Sequence, residues 1–221
     1  MTLLLPLLLQ YLKSDYHRLT KKNLFRQYIL VVYCNKGITM TNSFLISDTH
    51  WGHQGVCNFT HNDQPLRPWD DAAEMDEAMI ERWNAVVKPN DRVYHLGDVA
   101  IARRHVATTG RCNGKKVLIK GNHDIFKLKE YTPYFEDIRA YKVFDGMLFS
   151  HIPVHTSNLY RFGVNVHGHT HAGRIEVNGS PDPNYLPVCV EHTDYTPISI
   201  EEVRQRIVAQ GGVAGFRHGE R

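Results

Sequence analysis

Ser43-Phe44-Leu45-Ile46-Ser47-Asp48-Thr49-His50 decides the fold. A short apolar run ends abruptly in a carboxylate, a hydroxyl and an imidazole, as a buried strand does where it opens into a ligand crevice. The same pattern recurs four more times along the chain. Val93-Tyr94-His95-Leu96 precedes Gly97-Asp98, and Val117-Leu118-Ile119 precedes Gly121-Asn122-His123-Asp124. Met147-Leu148-Phe149 precedes Ser150-His151, and Val164-Asn165-Val166 precedes Gly168-His169-Thr170-His171. Two carboxylates, an asparagine amide and several imidazoles at one sheet edge are the donors that a pair of divalent metals takes.

Outward from these segments the chain alternates as an α/β protein should. Strands are expected over 43–47, 92–96, 115–120, 141–144, 147–150, 164–166, 174–177 and 186–191. Asp70 or Asp71 is placed to cap a helix running to about Val87. Ala72, Met75, Met79, Ile80, Trp83 and Val86 or Val87 form its apolar face, a core stripe at helical spacing. Lys88-Pro89-Asn90-Asp91 stops it. A further helix is expected over 101–108, and Ser199 is placed to cap a last one. Asp145-Gly146 and Asn178-Gly179 mark tight turns.

Composition narrows the class. A chain of 221 residues with 42% hydrophobic and 22% charged residues suits a soluble globular domain. A net charge of +3 is too small an excess to argue nucleic-acid binding without a clustered stripe. Cys34, Cys57, Cys112 and Cys189 form no C-x-x-C pair, a spacing that supports neither a zinc knuckle nor a disulfide framework and points to reduced thiols in a cytoplasmic protein. Residues 1–40 stand apart as an N-terminal extension before a domain over 41–221. Their apolar run over 3–9 is broken by Pro6 and is far short of the ~20 residues of a membrane span. They also lack signal-peptide features. They read as a start assigned too early or a poorly packed segment, with membrane contact as the alternative. No membrane partner is expected, and no feature specifies the oligomeric state.

In order, the five segments read D-x-H, G-D, G-N-H-D, H and G-H-x-H, and they resemble the signature of the calcineurin-like metallophosphoesterase superfamily from about residue 42 onward. With Ser47 to His53 and Pro197-Ile198-Ser199, the chain looks like a small single-domain branch found in bacteria and phages. The resemblance implies a four-layer αββα sandwich of two mixed β-sheets flanked by helices, with a dinuclear metal site at the strand ends. It implies that one metal takes Asp48, His50 and His171, that the second takes Asn122, His151 and His169, and that Asp98 bridges both. Mn²⁺ is the first choice, with Fe, Ni or Zn as the others.

The implied reaction is hydrolysis of a phosphate ester by in-line attack of a hydroxide bridging the metals, with His123 assisting the leaving group. Asp124 either orients His123 or caps the next helix. Phosphodiesters rank ahead of monoesters, with nucleotides among the candidate substrates. Arg161, ahead of Arg103, Arg104 and Lys120, is the candidate phosphate contact. Trp51, Phe59, Tyr160 and Tyr185 either stack a base or rim the cleft, and His53 and His167, beside the motifs, are either ordinary surface or core residues or support the ligands from behind. A nuclease and a non-catalytic binding module on the same fold are the alternatives. The first needs a continuous basic groove, and the second loses ligands that are all present here.

Overall fold

The computed structural model describes residues 41–215; residues 1–40, where the extension is expected, and 216–221 lie outside the described residues. Strand β1 (Ser43–Ile46) leads to a short helix α1 (Gln54–Cys57), a small hairpin of β2 (Thr60–His61) and β3 (Gln64–Pro65), and helix α2 (Ala72–Val86). Strands β4 (Arg92–His95), β5 (Lys115–Ile119), β6 (Asp137–Arg139), β7 (Lys142–Phe144) and β8 (Met147–Ser150) follow. The chain continues through β9 (Asn165–His167), a hairpin of β10 (Glu176–Val177) and β11 (Ser180–Pro181), then β12 (Tyr185–Pro187), β13 (Ile198–Ser199) and helix α3 (Ile200–Ala209). The fold is mixed α/β, with mixed sheets and few helices. Among the described residues no helix is long and apolar enough to cross a membrane.

One sheet has the order β13-β1-β4-β5-β6, with β13 antiparallel to four parallel strands. The other has the order β12-β9-β8-β7, with β7 antiparallel to three parallel strands. Register sorts the side chains by face, since successive residues of a strand point to opposite sides. Leu45, Tyr94 and Val117 stand opposite one another in the first sheet, and Phe149, Val166 and Leu186 do so in the second. All six join one buried cluster, which also takes Val203 and Ile207 of α3, so the two sheets share a core. The other face of the first sheet, through Phe44, Ile46, Val93 and Leu118, packs with Met75, Met79, Ile80 and Trp83 of α2. Beyond the second sheet, Leu148 and Tyr185 gather Leu159, Val154 and Phe162.

Local chemistry explains the helices and turns. Asp71 caps α2, its carboxylate accepting from the N–H groups of Ala73 and Glu74 at 2.9 and 3.0 Å. Val87 is buried, whereas Val86 is 39% exposed, so the apolar face ends with Val87. Ser199 accepts from the Glu202 N–H at 3.1 Å at the start of α3. The turns at Asp145-Gly146 and Asn178-Gly179 have positive φ at both residues, as the primed hairpin turns require.

Two elements depart from expectation. Instead of an α-helix over 101–108, a 3-10 helix spans Arg103–Arg111. Its buried residues are Val106 and Thr109, spaced by three, and its Thr108, Thr109 and Gly110 are poor α-helix formers. The expected strand over 186–191 also splits. Tyr185–Pro187 stays in the second sheet, Cys189 then bridges to Ser47 at the end of β1, and Val190 donates to the Ser47 carbonyl at 3.1 Å. The segment crosses from one sheet to the other and carries Glu191 with it.

A buried histidine ties β4 to the first loop. His95 is 0% exposed; its Nε2 lies 3.0 Å from the Thr49 hydroxyl, and its Nδ1 accepts from the Gly97 N–H at 3.2 Å. Because the Thr49 hydroxyl donates to the Val99 carbonyl at 3.1 Å, the ring is the donor to Thr49 and both its nitrogens are used in the neutral form. Burial holds His95 down at about 3, and likewise His167 at about 4. The unfolded imidazoles, near pH 6.5, therefore take up protons first, so stability is full above that pH and is lost as pH falls through about 4 toward about 3. Urea titrations of the metal-free protein should show this loss, and His95→Gln should flatten it by up to about 1.4 kcal/mol per pH unit. An unchanged slope would clear His95 of the role.

Candidate metal centre

Parallel strands bring their carboxyl ends to one rim, and there the backbone leaves the strand conformation. Asp48, His50, Asp98, His169 and His171 all have positive φ, between 48° and 71°. Such conformations cost non-glycine residues on the order of 1–3 kcal/mol each, and they persist where the surroundings over-determine them. The surroundings here are backbone ladders between loops. Asp48 and His50 donate to the carbonyls of Gly97 and Asp98 at 3.0 and 3.1 Å, and Trp51 donates to Val99 at 2.9 Å. Gly97 has a φ of 94° and lies so close to the backbone of Gly121 that a Cβ would collide with it.

On this frame the seven expected ligand residues come together. One ligand atom each from Asp48, His50 and His171 lies within 4.8 Å of the others, and so do those of Asp98, His151 and His169. Asp98 connects the two groups, its Oδ2 lying 3.4 Å from His151 Nε2 and 3.7 Å from His50 Nε2. The Asn122 Oδ1 is 2.9 Å from His151 Nε2, which places it with the second group. Nδ1 of His151 donates to the Leu96 carbonyl at 2.7 Å and that of His171 to Glu191 at 3.0 Å, which fixes the orientation of both rings.

Burial and close neighbours perturb the charges of these side chains. Asp48 is fully buried, and its carboxyl is pushed up by that burial, with His151 and His171 offsetting part of the effect. Burial would also raise Asp98, but the His151 bond and neighbouring imidazoles override it and hold Asp98 at about 2. His50 falls well below its usual value through burial and then the Arg67 charge. Burial would lower His151 and His171, but the Asp98 carboxylate beside the first and the Glu191 carboxylate beside the second raise both. This donor set fits Mn, Fe, Ni or Zn.

Other expected residues lie elsewhere or act differently. Asp124 neither touches His123 nor caps a helix. Its carboxylate accepts from the N–H groups of Asp98, Val99 and Gly121 at 2.9, 3.0 and 2.8 Å, tying the third loop to the second. His123 is exposed; its N–H donates to Asp98 Oδ1 at 2.9 Å and its ring lies 5.7 Å from that of His50. Arg161 stacks over Tyr160 at 5.8 Å and makes no hydrogen bond to the seven residues. Trp51 and Tyr185 are buried and unavailable to a base, whereas Phe59 and Tyr160 are exposed. The His53 ring stands 5.8 Å from His50. His167 is buried with Nδ1 on the Gly168 carbonyl at 2.8 Å and touches no ligand side chain by hydrogen bond.

Sequence reading missed Arg67 and Glu191. Arg67 is 1% exposed and donates to the carbonyls of Asp48 and Thr49 at 2.6 and 2.9 Å, and to Glu191 at 3.1 Å. Glu191 ends an apolar run, Leu186 to Val190, just as the ligands end theirs, so the same pattern marks it. Nothing in the sequence marks Arg67, which lies in a polar loop.

No family model matches the chain. The uncharacterized protein MJ1445 of Methanocaldococcus jannaschii is 31% identical over 186 residues, covering 80% of this chain and 96% of that protein. The Gene 66 protein of Mycobacterium phage L5 is 31% identical over 94 residues, 38% of this chain and 41% of its own length. The crystal structure of AQ665, a protein of unknown function from Aquifex aeolicus, shares the fold. Its TM-score is 0.57 at 23% identity, over 76% of this chain and all of that one.

The contrasting surroundings of Asp124 and His123 give a direct test. Asp124→Ala strips the acceptor from three backbone N–H groups and should cost on the order of 3 kcal/mol in urea unfolding with EDTA present. His123→Ala removes an exposed ring and should leave that stability within about 0.5 kcal/mol. Equal losses would refute the bracing role of Asp124.

Proposed function

Since the chain belongs to the family of the M. jannaschii protein MJ1445, we propose that this family's member is a dinuclear-metal-dependent phosphoesterase with phosphodiesters as its favoured substrates. The observation that carries the reading is the pair of three-residue acceptor groups, each within 4.8 Å, joined through Asp98 at the strand ends. Asp48, His50 and His171 would hold one ion and Asn122, His151 and His169 the other, with Asp98 within reach of both groups. Mn²⁺ is the first candidate, then Fe, Ni or Zn. Two divalent ions, when bound, lower the pKa of a water and polarise phosphoryl oxygens.

The chain's own groups do the rest. His123, exposed beside His50, stands where a proton can pass from its ring to a leaving oxygen. The Asp98 carboxylate is held toward both groups by the His123 N–H and stays charged. Asp124 keeps the two loops in register. We read the fold as the four-layer αββα sandwich of the calcineurin-like metallophosphoesterases, and three apolar clusters alternating with two sheets support it. The outer layer beyond the second sheet is lined by a 3-10 turn, Thr156–Leu159.

A hydrolase of nucleotides or other small diesters is favoured over a nuclease. Arg82, Arg111, Arg139, Arg204 and Arg206 each pair with a carboxylate, so they make no continuous phosphate-binding stripe. A non-catalytic role is disfavoured by the complete donor set. Cytoplasmic residence fits the unpaired, buried Cys57, Cys112 and Cys189.

Assays with Mn²⁺ on cyclic nucleotides, bis-nitrophenyl phosphate, nitrophenyl phosphate and single-stranded DNA should show metal-dependent hydrolysis, strongest on small diesters. Asp98→Asn should lose metal and activity together. His123→Ala should retain metal yet turn over about 10²–10⁴-fold more slowly, with a smaller loss for nitrophenolate leaving groups. Hydrolysis that survives metal removal, or metal loss in His123→Ala, would overturn these roles.

A further inference from the structure

The two acceptor groups are alike in composition but differ in what stands behind them. The first, Asp48, His50 and His171, is largely closed off, with Asp48 and His50 buried and His171 partly so. In the second, Asp98 and His151 are buried, but His169 is exposed and Asn122 beside it is exposed too. Behind His171 lies a carboxylate, since Glu191 accepts its Nδ1–H at 3.0 Å. Behind His151 lies only a neutral carbonyl, that of Leu96 at 2.7 Å.

Glu191 is itself held by Arg67 through Nε at 3.1 Å and a terminal nitrogen at 3.0 Å, and the side chains of both are at most 3% exposed. The same guanidinium grips the Asp48 and Thr49 carbonyls at 2.6 and 2.9 Å. One buried ion pair thus holds two ligands of the first group from behind, Asp48 through its backbone and His171 through its ring. An anionic acceptor on Nδ1 fixes the ring and makes Nε2 more basic, and such outer partners are worth about 10–100-fold in metal affinity. Glu191 also cancels the Arg67 charge, which would otherwise repel a cation near Asp48.

We infer that Arg67 and Glu191 are a positioning pair that makes the Asp48/His50/His171 position the tight, first-filled metal site and leaves the Asp98/His151/His169 position weaker and exchangeable. This rests on the dinuclear reading above. It goes beyond that reading because it assigns an order of loading and names the residues that set it.

Zn²⁺ titration of the metal-free full chain tests it, with calorimetry for the two affinities and imidazole ¹⁵N NMR for the order. The first equivalent should shift His50 and His171, and the second should shift His151 and His169. Glu191→Gln should weaken the first step by about 10–100-fold and move the second by less than about threefold. Because removing one partner of a buried pair can unfold a protein, Arg67→Met/Glu191→Leu, which removes both charges, is run beside it and should show the same selective loss. Binding of no Zn²⁺ by the wild type would sink the metal site itself. Two ions bound with His151 and His169 shifting first, or equal affinities, would leave the metal site standing and overturn the order. A first step unchanged in either folded variant would overturn the role of the pair.

Discussion

Two carboxylates, an amide and four imidazoles meet only where a frame fixes how each faces the next, and this domain gathers these seven side chains at one rim. Nothing local favours that arrangement. It is held by a frame that leaves the loops no alternative: Asp124 receives three backbone N–H groups, and Arg67 grips two carbonyls of the first loop. The positive φ angles of Asp48, His50, Asp98, His169 and His171 are the local cost of that frame. The same frame that strains the backbone fixes which of these side chains face one another.

The frame is stitched across both sheets. The first two loops belong to the first sheet, and His151 and the Gly168-to-His171 loop to the second. The crossing strand brings the sheets into one unit, since Cys189 bridges to Ser47 and Glu191 then reaches His171. Pro187, Cys189 and Val190 make that segment unsuited to a single long strand. A proline lacks the ladder donor, so the strand in the second sheet ends at Pro187, and Cys189 and Val190 then pair with Ser47 of the first sheet.

Much of this was legible in the residues. The apolar runs ending in Asp48, Asp98, Asn122, His151 and His169 signalled strands with polar ends, and the turns at Asp145-Gly146 and Asn178-Gly179 are where their φ preferences put them. The helix from Ala72 was legible from its cap and its 3.6-residue stripe. The helix expected over 101–108 is a 3-10 helix over Arg103–Arg111, because hydrophobic spacing over so short a span barely separates three from 3.6 residues per turn. The roles of Asp124, Trp51 and Tyr185 were misjudged because sequence gives a residue's type and not its burial.

The sequence by itself determined the donor chemistry: which seven side chains are available, that each follows a strand, and that no cysteine pattern stands among them. Only the tertiary structure decided which donors share an ion position and what stands behind them. Arg67 and Glu191 lie 124 positions apart and meet 3.1 Å from one another. Periodicity and capping are short-range signals, read within a turn or a strand. A buried ion pair of that span forms only when two sheets have closed a common core, so no local pattern records it.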